Sequence, residues 1–284
     1  MVKNWIVTGD THGWVETRLG NIERNIQHYK PEETAVIILG DAGLNFWLNG
    51  SDRKHKRAVD SFGYQVYCVR GNHEERPENL SYFREYDINV HGFVYLDPIA
   101  ENVKYLIDGG EYTIDGHSCL VIGGAYSIDK WYRLMRAGYM PEEAEIADPK
   151  KCGWFKTEQL TAEEMAMITQ QVKGKHYDLV LTHTTALDWE PIDLFLNGID
   201  QSKVDKTMEV WLNEIKDTFS WKVWLFGHYH ADRVERPYVE QFYQEYEPLS
   251  TLWERWQKYD ETHKLDWWTP VSPVMREILS GQTS

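Results

Sequence analysis

Short runs of Val, Ile, Leu and other apolar residues recur along the chain, and several stop abruptly at a glycine beside an aspartate, asparagine or histidine. They cover residues 5–8, 35–39, 66–69, 179–181 and 223–226. Continuous apolar runs of this length, bounded by polar turn residues, read as strands buried on both faces. Residues 15–28 and 52–62 between them mix polar and apolar positions at helical spacing. Thr161-Ala162-Glu163-Glu164 has the form of a capping box that opens a helix to about residue 173. A further helix is expected from Ser202 to Phe219. Residues 111–116 and 118–122 alternate about Asp115-Gly116, the pattern of a hairpin. Strand and helix alternation interrupted by a hairpin predicts an α/β fold, a central sandwich of mixed sheets flanked by helices.

Composition narrows the function. A chain of 284 residues with 42% hydrophobic content can bury a full core. Its formal charge of −15 argues against a long nucleic acid as partner, because phosphate-backbone affinity comes from clustered Lys and Arg. No apolar run approaches membrane-spanning length, so no membrane is expected. The first residues enter an apolar strand directly, without the pattern of a secretory leader. The three cysteines, Cys68, Cys119 and Cys152, lack metal-type spacing and read as reduced thiols, so a cytoplasmic location is expected. From about residue 231 aromatic residues sit among charges, Trp253, Trp256, Trp267 and Trp268 among them. A division into a main domain, 1–235, and an aromatic-rich extension packed on it, 236–284, follows.

Four blocks carry the chemistry: Gly9-Asp10-Thr11-His12-Gly13, Gly40-Asp41-Ala42-Gly43, Gly71-Asn72-His73-Glu74 and Gly227-His228-Tyr229-His230. A fifth element is Thr182-His183-Thr184. Each follows an apolar strand, and ligands of open α/β sheets collect outside the carboxyl ends of strands, so one rim is expected to gather them all. Singly, each block has a plainer explanation: an aspartate at a strand end often caps a helix, and a lone histidine is usually a satisfied one. Jointly, Asp10, His12, Asp41, Asn72, His183, His228 and His230 form a mixed oxygen and nitrogen set suited to transition metals rather than calcium. Seven ligands serve two divalent ions if one carboxylate bridges. Asp41 is the natural bridge, because the neighbouring strand ends place Asp10 and His12 to one side of it and Asn72 to the other.

In the order and content of these blocks, residues 4–232 resemble the calcineurin-like metallophosphoesterases. The resemblance implies that fold and a metal-dependent hydrolase of phosphate mono- or diesters. One ion would be held by Asp10, His12, Asp41 and His230, the other by Asp41, Asn72, His183 and His228. His73 would be the non-ligand histidine that protonates the leaving group or holds the transferring phosphoryl. Asp41 and His73 are therefore the catalytic candidates. A water bridging the two ions, acidified by both, would be the nucleophile. Manganese is the first choice of metal, with iron, zinc, nickel or magnesium as alternatives. Phosphorylated small molecules, nucleotides and phosphoproteins are the substrate classes, and the oligomeric state is left open.

The chain also departs from the pattern. Many relatives continue the second block with Asp and then Arg-Gly, whereas Ala42-Gly43-Leu44-Asn45 follows Asp41 here. An orienting carboxylate for His73 and a phosphate-binding arginine are both missing from that position. Arg53, Arg70 and Arg76 are candidates to replace the arginine, against the plainer reading of each as a solvated surface charge. Lys130 and Arg133 are further candidates, against an ordinary helix start. Residues 75–98, 127–155 and 188–200 have no counterpart in the family core and are where substrate specificity is expected. The alternative function is a catalytically inactive metal-binding or protein-interaction scaffold of the same fold.

Overall fold

In the computed structural model, which describes residues 1–263, the chain alternates strands and helices from the start: β1 (Asn4–Thr8), α1 (Val15–Asn25), β2 (Thr34–Ile38), α2 (Gly50–Asp60) and β3 (Gln65–Cys68). Three antiparallel-prone strands follow, β4 (Phe83–Asp87), β5 (Gly92–Leu96) and β6 (Val103–Leu106). The hairpin β7 (Gly110–Ile114) and β8 (His117–Ile122) precedes α3 (Lys130–Arg136), α4 (Pro149–Cys152), α5 (Ala162–Val172), β9 (His176–Thr182), α6 (Thr207–Ile215) and β10 (Ser220–Phe226). Short strands β11 (Arg233–Arg236), β12 (Val239–Gln241) and β13 (Tyr246–Pro248) lead into α7 (Leu249–His263). Residues 264–284, with Trp267 and Trp268 of the expected extension, lie outside the described residues.

The strands form a seven-stranded sheet, β13-β1-β2-β3-β6-β5-β4, and a six-stranded sheet, β11-β12-β10-β9-β8-β7. Both are mixed. In the first, β1, β2, β3 and β6 run parallel, while β13, β5 and β4 add antiparallel neighbours. In the second, β8, β9, β10 and β12 run parallel. Side-chain alternation shows how the layers stack, since successive residues of a strand face opposite sides. Trp5, Val7, Ala35, Ile37 and Tyr67 join the core shared with Leu120, Leu181 and Leu225 of the second sheet. Ile6, Val36, Ile38, Val66 and Cys68 face the other way, onto Val15, Leu19 and Ile22 of α1 and Val59 of α2. Mixed sheets face to face with helices outside are the architecture expected from the sequence.

Local signals translate closely. Thr161 accepts a hydrogen bond from the Glu164 N–H (3.2 Å) while the Glu164 carboxylate accepts from the Thr161 N–H (2.7 Å), so both halves of the capping box form. Asp115 and Gly116 have φ of 52° and 79°, the double positive φ that suits a two-residue hairpin turn. The helix expected from Ser202 is shorter. Ser202 bonds back to Asp200, and the Asp205 carboxylate accepts the Thr207 N–H (3.0 Å), so α6 starts at Thr207 and ends at Ile215. Asp205 serves the helix from outside its first turn.

Residues after 235 enter both sheets. β12 pairs with β10 and β13 pairs with β1, while Leu249, Leu252 and Trp256 of α7 are buried in the shared core. Among the described residues no helix is long and apolar enough to cross a membrane. Cys68, Cys119 and Cys152 are buried and free.

Candidate metal centre

The parallel register brings the carboxyl ends of β1, β2 and β3 level, with Thr8 opposite Ile38 and Ile38 opposite Cys68. Ile122, Thr182 and Phe226 close their strands on the same side of the second sheet. The loops that follow interlock within each sheet. The Thr11 and His12 N–H groups both donate to the Asp41 carbonyl, at 3.2 and 2.8 Å, and the Gly227 N–H donates to the His183 carbonyl at 3.0 Å. His12, Asp41, His228 and His230 all adopt positive φ (44°, 47°, 69° and 55°). Non-glycine residues seldom occupy that region, and its clustering at one rim marks backbone strained for function.

All seven expected ligands come to this rim. Donor atoms of Asp10, His12 and His230 lie within 4.8 Å of one another, and so do those of Asp10, Asp41 and His183. The Asn72 side-chain oxygen lies 2.8 Å from His183 Nε2. His228 joins through ring contact with His183, 5.0 Å between centroids, and through its N–H, which donates to Asp10 Oδ1 at 3.0 Å. Asp41 faces in two directions: Oδ1 is 3.6 Å from His183 Nε2, while Oδ2 is 3.8 Å from His12 Nδ1 and 4.0 Å from His73 Nε2. Gly71 makes room for it, since a Cβ there would lie 1.9 Å from Asp41 Oδ1.

The polar atoms present fit cations. Asp10 Oδ2 is buried without a hydrogen-bond partner. His12 Nε2 and His230 Nε2 face each other at 2.8 Å. His183 Nδ1 points at the Leu39 carbonyl (2.8 Å), which can only accept, so in the neutral ring Nε2 is a bare lone pair aimed at another acceptor, the Asn72 oxygen. Acceptors converging in this way are satisfied by a positive ion between them.

Charges around the site favour the ligand forms. Burial alone would raise the Asp41 carboxyl, but His183, His73 and His12 outweigh it and hold the group below the usual carboxylate range. Burial, reinforced by His183, pushes His228 down to about 3. His73 is also lowered, first by burial, so both rings are neutral at neutral pH. His230 is raised by its bond to Asp10.

Several contributors carry no sequence motif. Ser127 Oγ accepts from the Asn72 amide nitrogen at 2.8 Å, holding that side chain at the rim, and the Glu158 carboxylate in turn accepts the Ser127 N–H at 3.2 Å. Tyr243, from the C-terminal aromatic stretch, stacks on His230 with centroids 4.7 Å apart. The arginine expectations need correction. Arg70 is buried and bonds Asp108, at 2.7 Å, together with the carbonyls of Gly123, Thr157 and Glu158. Arg76, also buried, bonds Glu164 and the carbonyls of Thr157 and Gln159. Neither is a solvated surface charge, and both are spent on holding loops together. Arg53 is exposed on α2. Lys130 lies over the Trp154 ring, 4.3 Å from its centroid, whereas Arg133 lines a cavity with His12 and His73.

Two mixed sheets packed face to face, with helices outside them, deliver carboxylate, amide and imidazole groups to a shared rim and define a layered α/β protein with a candidate metal centre. Residues 4–232 match the model of the calcineurin-like phosphoesterases, and the chain belongs to that family. A comparison with curated proteins finds no match. The family acts on phosphorylated substrates with the help of divalent metals.

Proposed function

We propose that this protein is a dinuclear metal-dependent phosphoesterase. Asp10, His12, Asp41 and His230 would hold one ion and Asp41, Asn72, His183 and His228 the other, manganese being the first choice. The observation that carries the reading is the convergence of carboxylate, amide and imidazole groups, with Asp10 Oδ2 buried and without a hydrogen-bond partner, at a rim beside a cavity lined by His73 and Arg133. The opposed environments of the two Asp41 oxygens support its role as the bridge. When bound, divalent ions neutralise phosphoryl oxygens and acidify water. The residues of the chain do the rest. His73 presents its ring N–H to the leaving oxygen as a hydrogen bond, and protonates it where the bound phosphate's negative charge restores the imidazolium, which matters most for poor leaving groups. Arg133, braced by Asp129 at 2.7 Å, puts positive charge on the same cavity wall.

The catalytic unit in this reading is residues 1–235, followed by an extension, 236–284, whose described part, 236–263, packs on it. Support comes from the pairing of β12 and β13 with β10 and β1 and from Tyr243 against His230. Three buried free thiols suit a reducing, cytoplasmic setting. The test is hydrolysis of an aryl phosphomonoester and the matching diester by metal-stripped protein, with Mn, Ni, Zn or Mg restored singly and Asp41→Asn as control. Metal-dependent turnover that disappears in the variant is expected. Folded, metal-binding protein that turns over neither ester would refute the reading in favour of an inactive scaffold.

A further inference from the structure

The cavity of about 460 Å³ beside the candidate centre has unlike walls. His12, His73 and Arg133 line it together with the aromatic rings of Trp14, Phe46 and Trp47. A volume in this range is that of a small-molecule site. Trp14 is 72% exposed and Trp47 52% exposed, so each offers a bare indole there. Scattered surface aromatics need no explanation, but these two flank the cavity that contains His73.

Backbone interactions set them there. The Gly13 N–H and the Thr11 hydroxyl both donate to the Ala42 carbonyl, at 2.9 and 3.0 Å. Gly43, at φ +73°, packs so tightly that a Cβ on it would stand 2.2 Å from the Gly13 nitrogen. The loops that follow β1 and β2 are thereby fused, one delivering Trp14 and the other Phe46 and Trp47. Past the junction, the buried Asp52 carboxylate accepts the N–H groups of Trp47 and Leu48 at 3.0 and 2.6 Å. Phe46 meets Trp47 edge-on, 4.9 Å between centroids, and Arg133 lies 5.7 Å from the Phe46 ring. Exposed rings on a tied backbone are a preformed stacking platform rather than the tips of a loose loop.

We infer that the substrate is a nucleotide, its leaving group being a nucleoside whose base stacks between Trp14 and Trp47 while its phosphate lies against His12, His73 and Arg133. The inference rests on the phosphoesterase reading and gives it a substrate class. His73 places the leaving oxygen in this cavity. Trp14 and Trp47 are far more exposed than the His73 side chain, which is 19% exposed, so a ligand that meets both carries its ring and its phosphate on separate groups, as a nucleotide does across its sugar. Aromatic faces accept any base, so specificity among bases is not expected from them.

The experiment compares two ligands that share one phosphate and one sugar and differ only in the base. Non-hydrolysable phosphonate analogues of adenosine 5′-phosphate and ribose 5-phosphate are titrated calorimetrically into the manganese-loaded full chain. The nucleotide analogue should bind at least about tenfold tighter, the low end of what base stacking contributes. Trp14→Ala and Trp47→Ala should each shrink that ratio to within about twofold, and Trp47→Phe should retain most of it. Equal affinity for the two analogues, or a preference that survives both alanine variants, overturns the inference. Turnover of adenosine 5′-phosphate and ribose 5-phosphate is measured alongside. Tight nucleotide binding without turnover of either would refute the phosphoesterase reading and leave the stacking site standing, so the two failures are distinct.

Discussion

Glu209 of α6 lies 4% exposed behind the rim, where its carboxylate accepts the Thr184 hydroxyl at 2.6 Å. Burial lifts this carboxyl from an ordinary 4.5 to about 7, the Thr184 bond opposing the rise and nearby Glu190 adding to it. A carboxyl raised in the folded state destabilises that state wherever the unfolded chain has already ionised. Below pH 4.5 both states are protonated and nothing is lost; the penalty grows as pH rises through the interval and is complete above the folded value. Applying the two-state proton balance to these values gives a penalty of about 1 kcal/mol at pH 5 and about 3 kcal/mol at pH 8. Glu209→Gln keeps the shape and the acceptor for Thr184 but cannot ionise. Urea unfolding of metal-stripped wild type and variant at both pH values provides the assay. Stripping matters because bound cations would stabilise a nearby carboxylate. Taking the difference between the proteins cancels every titration they share. The advantage of the variant should widen by about 2 kcal/mol between pH 5 and pH 8. A difference that stays constant with pH, or narrows, would show that Glu209 is ionised in the folded protein and refute the reasoning.

Gly71→Ala should damage the centre without touching a ligand, because its Cβ would meet the Asp41 backbone nitrogen at 2.2 Å as well as the carboxylate. A fall of about 10–100-fold in metal affinity, read by equilibrium dialysis with elemental analysis, is expected, as for other losses of support around metal ligands. Thr161→Ala removes the hydroxyl that caps α5 and should cost about 1 kcal/mol in urea unfolding, with metal affinity unchanged.

What could be read from the sequence was carried by interactions between near neighbours. The capping box spans four residues, the hairpin turn two, and each glycine-flanked block sits directly after the strand that positions it. The rim itself follows from the parallel register of β1, β2 and β3 and of β8, β9 and β10. The missed elements carry no apolar or helical pattern of their own. β4 reads Phe83-Arg84-Glu85-Tyr86-Asp87, with four of its five residues exposed, so no apolar run announces it; pairing with β5 makes it a strand. Residues 188–200 form only short turns, and part of the stretch expected to be helical does the same, because Asp200 and Asp205 each satisfy backbone N–H groups locally.

Arg70 shows why a motif locates a residue without giving its role. It directly precedes Gly71-Asn72-His73, and proximity to a phosphate-handling block makes an arginine look like a clamp. The fold turns it the other way. Its guanidinium joins Asp108 to the carbonyls of Gly123, Thr157 and Glu158, three segments that are remote in sequence. Glu158 then accepts the Ser127 N–H, and Ser127 holds the Asn72 amide with its oxygen towards His183. Arg70 therefore reaches the centre through the loops that orient Asn72, and in the proposed reading the positive charge on the cavity wall is that of Arg133, on a helix sixty-odd residues later. Which way a long side chain points at a strand end is decided by the carbonyls and carboxylates that its tertiary neighbours leave unpaired, and buried acceptors outcompete solvent for a guanidinium with five donors.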